Sequence, residues 1–294
     1  MKKPVVLGAG SCIVSILVEG LAALSGSLGR FEYVMSQDEP AGRKPVADDV
    51  LARCVLVIEE ASPWRKYHAL CDDERSKLPG TCEIVRVPTM HFNSLWPLMA
   101  ADPRNIPEPL APWGRFPFGR GDRLALSVIQ TVPDPAKRLA TYLATDIHSI
   151  VNVQRNHELE LGDMFVRERG CDIQIAAYVA ANFREKLLFF THNHPSPELI
   201  SFALIQLLAQ PAVKALLDSP AVQCIEGAAA WIAHRNPFSG EESPIHPAVA
   251  KHFNLAWYSD AAIYHWLGVG YTFEEWVAYY LTYEAKALES PASN

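Results

Sequence analysis

Two histidines and a cysteine carry most of the chemistry this chain could perform. His192 and His194 lie in Leu187-Leu188-Phe189-Phe190-Thr191-His192-Asn193-His194-Pro195-Ser196, a short, Phe-rich apolar run that ends abruptly in polar side chains. An imidazole takes up and returns a proton near neutral pH, so two of them at such a boundary suit general acid–base work. Cys12 stands near the other end of the chain, in Gly8-Ala9-Gly10-Ser11-Cys12, just ahead of an apolar helical stretch. A thiol at a helix start is expected to have its pKa lowered by outward-pointing amides and the positive end of the helix dipole. The amides of Gly8, Gly10 and Ser11 are equally a place for an oxyanion or a phosphate. A cysteine at one turn and a histidine at another are the ingredients of a nucleophile and its base. The third glycine of a dinucleotide fingerprint is missing, which leaves open a tight turn with a buried, inert thiol. The histidines have their own bland alternative, capping of the helix that Pro195 opens.

The elements that must position these residues follow from apolar patterning. Buried strands are expected at Val5–Leu7, Phe31–Met35, Cys54–Ile58, Glu83–Val87 and Leu187–Phe190, separated by helical stretches such as Ile13–Leu24 and Pro63–Lys77. Strands alternating with helices predict an α/β fold with a parallel sheet covered on both faces. Core strands fall roughly in 4–96 and 186–210, within one domain spanning 1–294. Between them, 97–185 holds a Pro- and aromatic-rich loop (Trp96, Trp113, Phe116, Phe118) followed by a helical insertion. Such a loop is a lid, a binding loop, or an irregular connection packed down by its aromatics. Asp172 to Val179 keeps apolar positions on one helical face and leads into the Phe189 strand. The part from 211 to 289 is expected to be helical, its last helix opening at the Thr272 cap with Glu274 and Glu275 in the first turn.

Bulk properties narrow the class. A chain of 294 residues with 49% hydrophobic and 20% charged residues can bury a substantial core. A formal net charge of −7 argues against a nucleic-acid partner. The six cysteines form no C-x-x-C pair, which points to a reducing, cytoplasmic compartment. The Lys2-Lys3 start reads as strand-turn-helix rather than a leader, because Glu19 and three glycines interrupt its apolar stretch. No run is long and apolar enough for a membrane span. Two histidines at i and i+2 share no helical face and have no well-spaced third ligand, so no metal is expected.

Taken together, the glycine turn ending in Cys12, the Asp49 to Ile58 segment, Pro88 to Pro97 and, above all, Phe189-Phe190-Thr191-His192-Asn193-His194-Pro195-Ser196 resemble the WcbI family of capsular polysaccharide acyltransferases. Pro244-Ile245-His246-Pro247-Ala248-Val249 and Thr272-Phe273-Glu274-Glu275-Trp276 are similar to its C-terminal part. The resemblance covers most of the chain and is thinnest between Pro97 and Leu139. It implies a three-layer α/β core related to SGNH esterases and flavodoxin-like sheets, and coenzyme A or acetyl-coenzyme A as acyl donor. It also implies a saccharide or its nucleotide-linked precursor as acceptor. The family's Gly-Asn-Cys-Gln turn reads Gly10-Ser11-Cys12-Ile13 here. Ser11 can still donate to an oxyanion, whereas Ile13 cannot, which leaves backbone amides as the more secure donors.

On this reading His194 is the general base, acting on the acceptor hydroxyl or on Cys12. Asn193 would orient a ring or donate to the oxyanion, and His192 would face the cofactor. A carboxylate should hold the histidine tautomer, with Asp172 the first candidate and Asp38, Asp49 or Glu59 the others. The coenzyme's diphosphate is assigned to the Gly8–Cys12 turn and to Arg115, Arg120 and Arg123, with the adenine on Trp113 or Phe116. A solvated basic loop is the alternative for those arginines. His246 is a secondary candidate, and capping is its bland role. An ester or thioester hydrolase using Cys12 and His194, or a non-catalytic nucleotide- or sugar-binding protein, are the competing functions.

Overall fold

The computed structural model describes residues 2–27, 29–37, 44–61, 69–107, 114–116 and 120–284. Trp113, Phe118, Asp38 and much of the Pro63–Lys77 stretch lie outside them. Four parallel strands, β1 (Val5–Gly10), β2 (Glu32–Gln37), β3 (Cys54–Ala61) and β4 (Glu83–Pro88), form a sheet in the order β2-β1-β3-β4. These are the strands expected from the apolar runs, each extended by one to three residues at its C-terminal end. The order is that of a doubly wound sheet, in which the chain departs to opposite sides of β1. Ligands of such sheets bind outside the carboxyl ends of the strands at that switch point.

Both faces are covered because β1 is apolar on both. Val6, with Leu56 and Ile58 of β3, packs into the large core beneath α1 (Cys12–Leu24), α8 (Pro197–Ala209) and α10 (Ala221–Arg235). Val5, Leu7 and Ala9 face a smaller cluster with Leu51 of α2 (Asp48–Leu51) and Leu70, ahead of α3 (Asp72–Ser76). Alternate side chains of a strand point to opposite faces, so one strand seeds both layers.

The fifth expected strand does not join this sheet. Phe189–Thr191 is β7 of a small hairpin, paired antiparallel with β8 (His194–Pro195) across a two-residue turn at His192-Asn193. Ser196 N–H closes it onto the Leu188 carbonyl (2.8 Å), and Pro195 has no N–H to extend a ladder. The segment at Asp172 occupies the edge of β4 instead. The amides of Asp172 and Ile173 both donate to the Arg86 carbonyl, and the Asp172 carboxylate accepts the Arg86 N–H at 2.7 Å. The expected helix therefore starts only at Ala176, as α7 (Ala176–Asn182).

The insertion is helical in several pieces, as expected: α4 (Arg123–Thr131), α5 (Pro135–Ala144), a 3-10 turn at Ile147–Ser149, and α6 (Val153–Arg167). Two short strands, β5 (Met99–Ala101) and β6 (Arg120–Asp122), pair antiparallel and close the base of the Pro-rich loop. The C-terminal part is not wholly helical. Between α11 (Pro247–Phe253) and α12 (Phe273–Thr282) lies a hairpin, β9 (Tyr264–Trp266) and β10 (Val269–Tyr271), after the short α9 (Pro211–Lys214) and α10. Among the described residues, no helix is long and apolar enough to cross a membrane.

Gly10 joins the sheet to the site. A Cβ there would fall 2.7 Å from Val14 Cγ2 and 2.8 Å from Glu60 Cβ, so only glycine lets β3 and α1 approach this closely. Gly10→Ala should destabilise the fold by about 1–3 kcal/mol, read as a lower urea midpoint with an unchanged slope. A midpoint equal to wild type would show that the contact relaxes freely.

Candidate active site

The site is assembled at the carboxyl end of the sheet. Ser11 caps α1, its hydroxyl accepting the Ile13 N–H (3.4 Å), and this puts Cys12 at the first helical position. Glu60, at the end of β3 and 2% exposed, reaches over Gly10 so that Oε2 accepts the Ser11 N–H at 2.8 Å. The protein thus places its own carboxylate where an external anion was expected. The helix dipole favours that carboxylate, and a second anion beside it would be repelled. That contact occupies the Ser11 amide, one of the three positions assigned to the coenzyme's diphosphate. Gly8 has a packing role, since a Cβ there would meet Met35 Sδ at 2.2 Å.

Burial, joined by this carboxylate, overturns the expectation of an acidic thiol. Burial, then the charges of Glu60 and Glu241, push the Cys12 thiol up to about 12. The thiol therefore rests protonated, and any nucleophilic role requires a base to take its proton.

His194 sits on β8, 3% exposed, with its ring stacked on Phe238 at 4.0 Å between centroids. Its Nδ1 lies 3.0 Å from Glu241 Oε2. Glu241 is held by the turn that carries Phe238: its N–H donates to the Phe238 carbonyl, and it bridges to Trp266 of β9. Its neighbour Glu242 faces away, accepting the N–H of His265 at 2.7 Å. Glu241 is the carboxylate that both His194 and Cys12 feel. The sequence offered no signal for it beyond an acidic pair ahead of Pro244, and periodicity says nothing about an irregular loop.

Asp172 is not that carboxylate, because it is committed to the edge of β4. The other candidates lie elsewhere too. Glu59 is buried against Arg75 (2.6 Å) and Arg86 (3.4 Å), and Asp49 pairs with Lys2 on the surface. Asn193, in the hairpin turn, accepts from the Thr191 hydroxyl through Oδ1 at 3.1 Å, and that hydroxyl also receives the His194 N–H. Thr191 ties the turn together from inside, which keeps His192 and His194 in fixed relation.

His192 faces the other way. Its carbonyl accepts the Phe92 N–H (2.7 Å), and its ring meets His91 edge-to-face at 4.8 Å. Behind His91 stand Asn93, 3.1 Å from its Nδ1, and Glu160, which also holds Arg167 at 2.7 Å. Burial raises the Glu160 carboxyl, but hydrogen bonding to His91 and the charge of Arg167 outweigh it and leave the pKa lowered. His91 and Glu160 were not singled out by the sequence reading, since neither carries a local motif.

His192 opens onto a cleft of about 740 Å³, partly solvent, whose walls include Trp96, Asp122, His246, Phe273 and Trp276. Arg120 is exposed at its rim, and Arg123 is exposed at the start of α4. Phe116 is fully buried against Tyr279, Tyr280 and Tyr283, so it has no face for an adenine. The Arg115 carbonyl accepts from Trp266 Nε1. Among the described residues, no three His, Cys, Asp or Glu side chains are arranged to hold a metal ion. All six cysteines are unpaired.

A family model described as "Polysaccharide biosynthesis enzyme WcbI" matches residues 8–214. The chain belongs to the WcbI family. A solved structure described as "Structural insights into WcbI, a novel polysaccharide biosynthesis enzyme" is similar over 95% of this chain and 89% of its own. Its TM-score is 0.67 at 18% identity. That protein is described as native, without a disulfide bond between coenzyme A and one of its cysteines. At that identity the likeness shows the fold. A search of curated proteins finds no match.

A protonated Cys12 has a measurable signature. With its pKa near 12, alkylation by iodoacetamide at pH 8 should run on the order of a thousandfold slower than that of a free thiol. The rate should climb through the alkaline range. Glu241→Gln should speed it, because one of the two opposing charges is gone. Mass spectrometry of the Cys12 peptide reads both effects, and an inflection below pH 8 in the wild type would contradict the electrostatics.

Proposed function

We propose that this WcbI-family chain is an acyl-coenzyme A-dependent O-acyltransferase, with acetyl as the acyl group and a saccharide of surface polysaccharide biosynthesis as acceptor. One observation carries the reading: Glu241 stands 3.0 Å from His194 Nδ1 and also acts on the Cys12 thiol. A carboxylate beside an imidazole steadies the imidazolium that forms when the ring takes a proton. The naming of coenzyme A beside a cysteine in the WcbI neighbour supports the donor.

The residues fit coenzyme A at its thiol end. The turn at Cys12 is half-buried with the Glu60 carboxylate beside it, and it suits a neutral thioester. Glu60 occupies the Ser11 amide and its charge opposes a diphosphate there, so Arg115, Arg120 and Arg123 are the groups proposed to supply charge for it. In direct transfer, His194 removes the acceptor hydroxyl's proton as its oxygen attacks the thioester carbonyl. The carbon–sulfur bond breaks, and the departing thiolate recovers that proton. In the covalent route, Cys12 gives its proton to His194 as its sulfur displaces the coenzyme thiolate, which leaves with that proton. The acceptor hydroxyl then attacks the acyl-cysteine, and its proton passes through His194 to the released Cys12 sulfur. The raised thiol pKa supports direct transfer, because Cys12 is not activated in the resting state. Asn193 and the backbone amides nearby are the donors proposed for the oxyanion. Kinship with SGNH esterases is part of the same reading, supported by a site at the switch point of a β2-β1-β3-β4 sheet. So is a cytoplasmic setting, supported by six unpaired cysteines.

Calorimetric titration with coenzyme A and acetyl-coenzyme A tests the donor. Micromolar binding is expected for the wild type and should survive Cys12→Ala and His194→Ala, which remove chemistry rather than the binding surface. No binding at millimolar ligand would overturn the reading in favour of an ester hydrolase or a sugar-binding protein.

A further inference from the structure

A polar cluster that the Cys12–His194–Glu241 group does not use stands behind His192. α6 carries Glu160 and Arg167, about two turns apart, with side chains only 10% and 3% exposed. Arg167 Nη2 donates to Glu160 Oε1 at 2.7 Å and to the His91 carbonyl at 2.9 Å. Glu160 Oε2 accepts from Asn93 Nδ2 at 2.9 Å, and the same nitrogen lies 3.1 Å from His91 Nδ1. The His91 ring then meets the His192 ring edge-to-face, 4.8 Å between centroids.

Donors and acceptors along this line have one consistent arrangement while His91 is neutral. A guanidinium has no acceptor, so Arg167 requires a carboxylate oxygen. An amide nitrogen donates and does not accept, so Asn93 gives one N–H to Glu160 and the other to His91 Nδ1. In the neutral ring the proton is thereby left on Nε2. Turning the amide over would set Asn93 Oδ1 against the Glu160 carboxylate, acceptor against acceptor. The amide keeps its orientation even though Oδ1 is buried with no hydrogen-bond partner among the described residues. The carboxylate thus fixes the amide, and the amide fixes the His91 tautomer. Only a charged His91 carries a proton on Nδ1 as well, facing Glu160 Oε1 at 4.0 Å.

His192 is buried, two residues from His194. One nitrogen of a neutral imidazole donates and the other accepts, so a neighbouring N–H favours the tautomer that turns a lone pair toward it. We propose that Glu160 is a positioning residue for His192: through Asn93 and the Nε2–H of His91, it sets which nitrogen of His192 carries the proton. The N–H of His192 is then aimed toward the transfer site rather than back into the cluster. Its part in transfer rests on the acyltransferase reading, but the two tautomers do not.

Long-range proton–nitrogen NMR of the full chain, labelled at histidine, reads both rings at pH 8.5, about two units above an ordinary imidazole pKa. Loss of signals in His91→Gln and His192→Gln assigns them. The wild type should show His91 protonated on Nε2. Glu160→Gln keeps the shape and removes the charge. Arg167 still takes the Gln oxygen, so the Gln nitrogen faces Asn93, whose amide turns over and offers Oδ1 to both neighbours. His91 should therefore switch to the Nδ1–H form, and His192 should switch with it, each read as an exchange of nitrogen shifts within the ring. Asn93→Ala leaves the Glu160–Arg167 pair in place and opens His91 Nδ1 to Glu160, so the same switch is expected. Thermal unfolding confirms that each variant folds. A wild-type His91 protonated on Nδ1, a His91 that keeps Nε2–H in either folded variant, or a His192 unchanged while His91 switches would overturn the proposal. A coupled switch in a protein that fails to bind acetyl-coenzyme A would sustain the relay and remove its part in acyl transfer.

Discussion

A buried carboxylate at the start of α1 governs the site. Glu60 takes the Ser11 amide that would otherwise point at a ligand, and it can do so only because Gly10 leaves room above it. Two consequences follow from this contact: a fixed negative charge is added to burial in opposing a Cys12 thiolate, and β3 is pinned to α1 at the switch point of the sheet. Holding the thiol near 12 rather than its usual range corresponds to an opposing free energy on the order of 4 kcal/mol. The partial positive charge of the helix end is too small to overcome that, being worth about 1–2 kcal/mol. A helix N-terminus by itself therefore says little about a cysteine's reactivity, because burial and neighbouring charges can outweigh the amides.

The hairpin β7–β8 supplies the second constraint. In an extended strand, His192 and His194 would share one face. The two-residue turn at His192-Asn193 breaks that register, and Thr191 locks the result from within. One histidine then packs on Phe238 beside Glu241, and the other looks into the cleft with His91 and Glu160 behind it. Such a division suits a reaction with two substrates, since each histidine meets a different surface. His194 near Cys12 has the carboxylate needed to hold a positive charge, and His192 stands at the wall of the larger space.

The sequence made much of this legible where the signal was local. The four apolar runs with their intervening helices fixed the parallel sheet. The Gly8–Cys12 turn lies at a strand end as its pattern predicts, and the Thr191–Ser196 block forms the β7–β8 hairpin. What stayed hidden depends on contacts between distant segments. Glu241 sits in an irregular loop, and only the packing of Phe238 and Trp266 brings it to His194. Asp172 looked like the nearest carboxylate because the chain after it runs toward Phe189. Hydrogen bonding to Arg86 carries it to the sheet edge instead. Phe189 read as a core strand because a buried hairpin and a central strand share the same apolar composition. Phe116 looked available for stacking because a Pro-rich stretch reads as a loop, yet it is among the most buried rings in the protein.

The distribution of charge argues for the order in which the parts act. Near Cys12 the fixed charges are negative, from Glu60 and Glu241, so an anionic thiolate or a departing coenzyme thiolate is destabilised there unless a proton arrives with it. On the proposed reading His194, 3.0 Å from Glu241, would carry that proton. A neutral thioester enters such a site more readily than a charged product stays in it. If the chain transfers an acyl group as proposed, that asymmetry would couple release of the leaving group to return of the proton through His194.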